Sequence, residues 1–212
     1  MQTFGVMKNV NDTQVVIFDL SEVLIAGLLG IEHSLAEHLV IPIDTILPAF
    51  GGELLQELCC GKITEDIYLQ QIISDMRWNT DVDFLKEMIR RNFHNHVPGM
   101  QIILRQLMSA YDVILLSDHA VEWIEYIRTI HTFLANFKHL FFSFDLGQTK
   151  RKATTFTKVL QTMQVHPLQC LFIDDSKRNV SIARSVNIPS IHFVEASQLR
   201  EELYQSGLLE TR

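Results

Sequence analysis

The hydrophobic pattern alternates between short, continuous apolar runs and longer stretches with helical periodicity. Five apolar runs have the length and composition of strands that are buried on both faces; they cover residues 15–18, 113–116, 140–142, 171–173 and 190–193. Residues spaced three or four apart form apolar helix faces between them, as in Phe156, Val159, Leu160 and Met163. This alternation predicts an α/β fold, a parallel sheet with right-handed crossovers.

The interval between the first two runs is different. It is about ninety residues long and contains several helical patterns, one beginning near Thr64 and another over residues 84–89. No strong strand pattern interrupts them before the turn residues at 97–99. We therefore expect residues 26–95 to form an inserted helical cap. Residues 1–25 and 96–212 would then form the α/β core.

Two helices of the core are expected to start directly after strands. Ser176 is a suitable N-cap for a helix that carries Val180 and Ala183. Ser117 or Asp118 is expected to cap a helix over residues 120–130 in the same way.

Composition and charge narrow the function classes. Hydrophobic residues make up 47% of the 212 residues, which excludes a disordered chain. Asp and Glu outnumber Lys and Arg by 25 to 18, and the net charge of −7 argues against a nucleic-acid partner. The three cysteines suggest a reducing compartment rather than a disulfide framework. No signal peptide is recognisable in the first fourteen residues and no run reaches the ~20 residues of a membrane span, so a cytoplasmic protein without a membrane partner is expected.

Polar residues whose side chains can take part in catalysis or binding follow four of the predicted strands. Asp19, Ser117 and the pair Asp174 and Asp175 stand at strand ends, and Lys150 lies on the loop after the third strand. Ligands of open α/β sheets bind beyond the carboxyl ends of the strands. Three carboxylates cannot converge there without cations, because mutual repulsion raises their pKa values. One lysine and a Mg²⁺ ion, which prefers oxygen ligands, would supply the charge.

The order of these groups resembles the haloacid dehalogenase (HAD) superfamily over nearly the whole chain. Four stretches carry the resemblance: VIFDLSEVL at 16–24, LLSD at 115–118, Lys150 six residues before Phe156, and LFIDDS at 171–176 followed by Asn179. The chain is most similar to the branch that contains small sugar-phosphate phosphatases and the phosphatase domain of soluble epoxide hydrolases. This resemblance implies a doubly wound parallel sheet with strand order 3-2-1-4-5 and an inserted helical cap. The first and fourth strands would then be neighbours.

The resemblance also implies roles in catalysis and phosphate binding. Asp19 would be the nucleophile that forms an aspartyl-phosphate, which splits one hard step into two easier ones. Ser117 would donate a hydrogen bond to the phosphate, and Lys150 would neutralise charge at the nucleophile and the phosphate. Asp118 stands where the family commonly has an asparagine that faces the phosphate.

The implied Mg²⁺ ligands come from the first and fourth motifs. Asp19 would bind the ion together with the backbone carbonyl of Ser21 and one of the aspartates Asp174 and Asp175. Asp175 is preferred as the direct ligand, by analogy, with Asp174 as its close neighbour.

Three places depart from the family pattern, and one of them is the loop at 150–153, which keeps the lysine but lacks the family's usual prolines. Ser21 stands where the family's phosphatases have an aspartate that acts as general acid and base, a function that typically contributes ~10²–10⁴ in rate. Glu22 and His119 are the nearest substitutes, although a partly exposed position at a helix start is the more ordinary interpretation of His119. An ionised Asp118 would repel phosphate, so either it turns away to cap the helix or phosphate binding is weakened.

The sequence therefore predicts a Mg²⁺-dependent phosphatase that acts on a small phosphorylated metabolite. A second hypothesis is a degenerate HAD protein that binds Mg²⁺ but hardly turns over, acting as a binding or regulatory protein. Other chemistries of the fold are less favoured: dehalogenation uses no metal, and phosphonate cleavage needs a cap lysine for which Lys62 is a loose candidate. The substrate and the oligomeric state stay open.

Overall fold

The five apolar runs form one parallel sheet in the computed structural model, which describes residues 12–210. The strands are β1 Val15–Phe18, β2 Asp112–Ser117, β3 His139–Phe142, β4 Cys170–Asp174 and β5 Ser190–His192. Their order is β3-β2-β1-β4-β5, which confirms the prediction. Residues 1–11, part of the stretch in which no signal peptide is recognised, and residues 211–212 lie outside the described residues.

Helices cover both faces of the sheet and fill the interval after β1. The α-helices of the described residues are α1 Ile31–Leu39, α2 Ile46–Ala49, α3 Gly52–Cys59, α4 Glu65–Met76, α5 Val82–Phe93, α6 Met100–Met108, α7 Val121–Ile130, α8 Ser143–Leu146, α9 Ala153–Met163, α10 Lys177–Ser185 and α11 Ala196–Gln205. None of these is long and apolar enough to cross a bilayer.

The central strand β1 shows why the apolar runs are continuous. Its side chains alternate between two hydrophobic clusters, one on each face of the sheet. Val16 and Phe18 belong to the larger cluster, whereas Val15 and Ile17 pack with Phe156 of α9 in the other. Both faces are covered by helices, so every position of the strand is buried and favours an apolar residue.

The helices α1 to α5 lie between β1 and α6, and their segment returns to the place where it left the core. The backbone N–H of Ala26 donates to the carbonyl of Asn95 at 2.8 Å, and that of Val97 donates to Leu24 at 3.0 Å. Thr64 caps α4 and Asp81 caps α5 through their side chains, which fixes where these helices begin.

A buried ion pair connects these helices to the core. The Glu65 carboxylate at the start of α4 is 1% exposed and accepts both guanidinium N–H groups of Arg90 from α5, at 2.7 and 2.6 Å. It also accepts the indole N–H of Trp123 from α7 at 2.7 Å. The backbone N–H of Glu65 donates to Glu122 of the same core helix at 3.1 Å.

One predicted helix cap is present and one is wrong. Ser176 caps α10 by accepting the backbone N–H of Asn179. Helix α7 begins instead after Ala120, without a side-chain cap, so neither Ser117 nor Asp118 caps it. The reason for Asp118 is that its carboxylate is engaged by another loop, at the site described below.

Candidate active site

The strand order places the first and fourth motifs side by side. Asp19 follows β1, and Asp174 ends the neighbouring β4. The ammonium of Lys150 lies between them, with Nζ 2.6 Å from Asp19 Oδ1 and 2.7 Å from Asp174 Oδ2. All three side chains are buried, so the predicted carboxylate–lysine cluster is present at the carboxyl edge of the sheet.

Asp175 completes a group of three carboxylates. One oxygen from each of Asp19, Asp174 and Asp175 lies within 4.8 Å of the others. The oxygens of Asp174 already accept hydrogen bonds from Lys150, the backbone N–H of Ser176 and the amide of Asn179. Asp175 is partly exposed and more available. Three clustered carboxylates are the donor chemistry that suits Mg²⁺, so these residues fit the ion.

Among the described residues, the three carboxylates of the cluster have only one positive charge, that of Lys150, to balance them. Burial raises the pKa of Asp19 well above its usual value, and the nearby Asp174 and Asp175 raise it further against the lowering effect of Lys150. Burial also raises the pKa of Asp175, with Asp174 adding to it. Burial lowers the pKa of Lys150, but the surrounding carboxylates outweigh burial and raise it, so the lysine stays protonated. A bound divalent cation would restore the ionised state of the carboxylates.

Ser117 stands at the end of β2, beside this cluster in the sheet. Its side chain is fully buried, and its hydroxyl has no hydrogen-bond partner among the described residues. Buried hydroxyls are normally satisfied. An oxygen of a bound phosphate is the kind of partner that the predicted role of Ser117 requires.

Asp118 holds the loop that carries the lysine. Its two carboxylate oxygens accept the backbone N–H of Lys150 at 3.0 and 3.1 Å. Burial raises the pKa of Asp118 above its usual value, and the nearby Lys150 offsets only part of this rise. Asp118 therefore does not cap α7, because its carboxylate holds the backbone of Lys150, and its predicted place beside a bound phosphate stays a prediction.

Ser21 pairs with a histidine of the second motif. The hydroxyl of Ser21 lies 2.8 Å from Nε2 of His119, within hydrogen-bonding distance. His119 is 2% exposed and packs edge-on against Phe93 and Trp123, so its interpretation as a partly exposed helix-start residue is wrong. Burial lowers the pKa of His119 to about 3, with Lys150 adding to the effect. The imidazole is therefore neutral near pH 7.

Glu22, the other substitute for the missing aspartate, has a structural partner. Its carboxylate accepts the backbone N–H groups of Gly27 and Leu29 at 2.9 and 3.0 Å. Its backbone φ of 61° lies in the left-handed region, at the turn that follows the nucleophile loop. Glu22 thus holds the loop between the core and α1, and the group that reaches Ser21 is His119.

A cavity of about 270 Å³ lies between the core and the inserted helices, and some of its lining residues are close in sequence to members of the cluster. Core residues Ser21, Asp118, His119 and Asn179 line one part of it. Apolar side chains from the loop before α1 and from α3, α5 and α7 line another part: Leu28, Leu55, Phe93 and Trp123. Arg151 and Arg178 add two positive charges to the polar part of the lining.

The sequence did not single out Phe93 or Trp123 for a role in the site, and it indicated Asn179 only as part of the fourth stretch of the resemblance, without a role. Asn179 had a local signal, because it lies one helical turn after the Ser176 cap and so faces Asp174. Phe93 and Trp123 had none, since aromatic residues on an apolar helix face are ordinary core residues.

The chain is similar in sequence to a known hydrolase. No family model matches the chain. Its sequence is 26% identical, over 175 residues, to flavin mononucleotide hydrolase 1 of Arabidopsis thaliana, covering 76% of this chain and 70% of that protein.

Solved structures show the same fold. A HAD family enzyme from Bacteroides thetaiotaomicron, crystallised with magnesium and inorganic phosphate, superposes with a TM-score of 0.65 at 20% identity, covering 88% of this chain and 98% of that one. A HAD-like hydrolase from Porphyromonas gingivalis gives 0.69 at 17% identity, covering 94% and 99%. An L-2-haloacid dehalogenase from Xanthobacter autotrophicus gives 0.66 at 14% identity, covering 91% and 82%.

The sheet order and these structural matches define the fold. The chain has the fold of the HAD superfamily, which confirms the fold that the resemblance in the sequence implies.

Proposed function

We propose that the protein is a Mg²⁺-dependent phosphohydrolase that acts on a small phosphorylated metabolite through an aspartyl-phosphate. The observation that carries this proposal is the arrangement of Asp19, Lys150 and the acidic pair at one sheet edge. The unsatisfied hydroxyl of Ser117 supports it, because a phosphate oxygen would satisfy that group. The acidic pair favours a metal-dependent phosphatase over a metal-free dehalogenase.

In the proposed reaction Asp19 attacks phosphorus in line with the leaving oxygen. Lys150 holds one carboxylate oxygen of Asp19 and neutralises charge, while Ser117 donates a hydrogen bond to a phosphoryl oxygen. Water then attacks the aspartyl-phosphate and releases phosphate and the Asp19 carboxylate. Positioning and electrostatic stabilisation account for most of the catalysis in such transfers.

The Mg²⁺ ion would be held by Asp19, the backbone carbonyl of Ser21 and Asp175. Asp174 would support the site without binding the ion directly, since its oxygens already accept hydrogen bonds from Lys150, Ser176 and Asn179. When bound, the ion supplies positive charge to the transferring phosphoryl group.

We also propose that residues 26–95 act as a cap over the site. Helices α3 and α5 of this segment contribute Leu55, Cys59 and Phe93 to the cavity wall. A wall of this kind excludes water and limits the size of the substrate. A cavity of about 270 Å³ suits a small phosphorylated molecule.

The test is release of inorganic phosphate from a panel of phosphorylated compounds, with and without Mg²⁺. The panel includes sugar phosphates, nucleotides, phosphoamino acids, nitrophenyl phosphate and flavin mononucleotide, the last because of the Arabidopsis relative. We expect Mg²⁺-dependent release that is lost in Asp19→Asn, which keeps the shape of the side chain and removes its charge. Activity that persists in Asp19→Asn would rule out Asp19 as the nucleophile.

The alternative is a degenerate protein that binds Mg²⁺ and phosphate without turnover. Ser21 favours it, because a serine hydroxyl cannot serve as a general acid near neutral pH. Folded protein that binds Mg²⁺ but releases phosphate from no member of the panel would favour this alternative. Rapid hydrolysis by the natural sequence would exclude it.

A further inference from the structure

The environment of the leaving group limits the substrate class, given the phosphohydrolase function proposed above. In an in-line transfer the leaving oxygen departs on the side of phosphorus opposite to Asp19. Asp19 lies at the buried sheet edge, and a cavity of about 270 Å³ is lined by Ser21, two residues after it, and by Asp118, which follows Ser117. This cavity is the space beside the cluster into which a leaving group would depart.

The described side chains of the cavity wall offer no readily available proton. Asp118 has both carboxylate oxygens directed at the backbone N–H of Lys150. The thiol of Cys59 is buried, and burial raises its pKa. Leu28, Leu55 and the aromatic walls have no acidic proton.

The pair formed by Ser21 and His119 does not fill this role directly. The hydroxyl of Ser21 borders the cavity, but an alcohol keeps its proton near neutral pH. Nε2 of His119 is directed at that hydroxyl, and its Nδ1 is buried without a partner among the residues that the structure describes. The pair can hold a hydrogen bond to the leaving oxygen, but it presents no carboxylic acid.

Two cations do stand at the cavity. Arg151 and Arg178 line it, and neither forms a salt bridge with another residue of the described part of the chain. A guanidinium keeps its protons at every accessible pH but stabilises a nearby anion by charge and hydrogen bonding. The two arginines of the cavity wall can therefore stabilise a departing oxyanion, but they do not protonate it.

We propose that the substrate is a phosphate compound whose leaving group is a stable anion: an aryl phosphate, an enol phosphate or an acyl phosphate. The bond between phosphorus and the leaving oxygen breaks as the bond from Asp19 Oδ to phosphorus forms. The leaving oxygen keeps the electron pair and departs as aryloxide, enolate or carboxylate, so no proton is needed in that step. Simple alkyl phosphates, which would leave as strongly basic alkoxides, are poor substrates.

The experiment measures kcat/KM for phosphate compounds that differ in the acidity of the leaving group, with Mg²⁺ present. The probes are a series of nitro- and halogen-substituted phenyl phosphates, acetyl phosphate, phenyl phosphate and glycerol phosphate. Release of the leaving group is followed directly, because kcat/KM reports the steps up to its departure. We expect a steep fall in kcat/KM as the leaving group becomes more basic.

The variant Ser21→Asp supplies the missing acid and should flatten this dependence. We expect the ratio of kcat/KM for glycerol phosphate over nitrophenyl phosphate to rise by ~10²–10⁴. Ser21→Asn is the matched control, because asparagine has the shape of the aspartate in Ser21→Asp but no acidic proton. The ratio should not rise in this variant.

Each outcome decides a different point. A shallow dependence in the natural sequence, with phosphate compounds of all classes hydrolysed, would overturn this inference and leave the phosphohydrolase function standing. No release of any leaving group from folded, Mg²⁺-binding protein would overturn the proposed function, and this inference with it. The dependence of kcat/KM on the acidity of the leaving group is measured on the unaltered protein. This test therefore remains valid even if a variant fails to fold.

Discussion

His119 illustrates how a single side chain acquires its properties from its surroundings. In the unfolded chain its pKa is ~6.5. In the folded protein it is enclosed by Phe93 and Trp123, and its pKa falls to about 3. The neutral ring can then lie 2.8 Å from the Ser21 hydroxyl without carrying a charge into the core.

This shift predicts a pH-dependent stability with a defined sign. Between about pH 6.5 and about pH 3, the unfolded state binds a proton at His119 and the folded state does not, so the free energy of unfolding falls as the pH falls. The raised pKa values of Asp19, Asp118 and Asp175 act in the opposite direction. His119→Gln removes the histidine contribution alone.

The measurement is urea unfolding of both proteins without metal, from about pH 8 down to about pH 4, because a pKa unit corresponds to ~1.4 kcal/mol. We expect the natural protein to lose stability relative to His119→Gln as the pH decreases. Parallel pH curves for the two proteins would contradict the prediction.

At the scale of helices, the Glu65 carboxylate fixes α4 and α5 against α7. It receives Arg90 from one side and the indole of Trp123 from the other. Trp123 in turn packs on His119 and lines the cavity. The position of the inserted helices is therefore coupled to the wall of the site.

Glu65→Gln should loosen this connection, because it leaves the Arg90 charge without its counterion. Breaking a buried pair costs ~3–5 kcal/mol, and we expect the lower end because the Arg90 side chain keeps 22% of its surface exposed. Urea unfolding measures the loss, and hydrogen exchange of the backbone amides in α4 and α5 should accelerate.

Glu87→Gln is the matched control for this change. Glu87 also pairs with an arginine of α5, Arg91, but both side chains are mostly exposed, at 68% and 77%. Such a pair contributes ~0–1 kcal/mol. Equal, small losses in the two variants would show that the Glu65 contact does not hold the helices in place.

At the scale of the whole molecule, the candidate metal site exists because distant parts of the chain meet at one sheet edge. Asp19 and Asp175 follow strands that are neighbours in space but are separated by more than 150 residues in sequence. The carboxylates therefore come together only in the folded protein, and an ion held by them stabilises that state.

We expect Mg²⁺ to raise the melting temperature by about 5–10 °C at a hundredfold excess over its dissociation constant. Chelation with EDTA should reverse the rise. Asp175→Asn should abolish it, whereas Asp145→Asn, which changes an exposed aspartate, should leave it intact. A rise that is equal in both variants would place the ion elsewhere.

The sequence by itself determined the sheet and the identity of the strand-end residues. Apolar runs such as those of β1 and β4 have one stable location, between two layers of helices, and parallel strands bring their carboxyl ends to a common edge. Asp19, Ser117 and Asp174 therefore had to lie at that edge. The strand order came from the family resemblance, and the structure confirmed it.

Only the tertiary structure decided what surrounds those residues. Ser21 and His119 are 98 positions apart, and their contact depends on how two loops leave neighbouring strands. The engagement of Asp118 by the Lys150 backbone, and the placement of Trp123 by Glu65, depend equally on loop paths and helix packing. Local periodicity tells which face of a helix is buried, but not which distant side chain that face will meet, because the meeting is set by the packing of the whole fold.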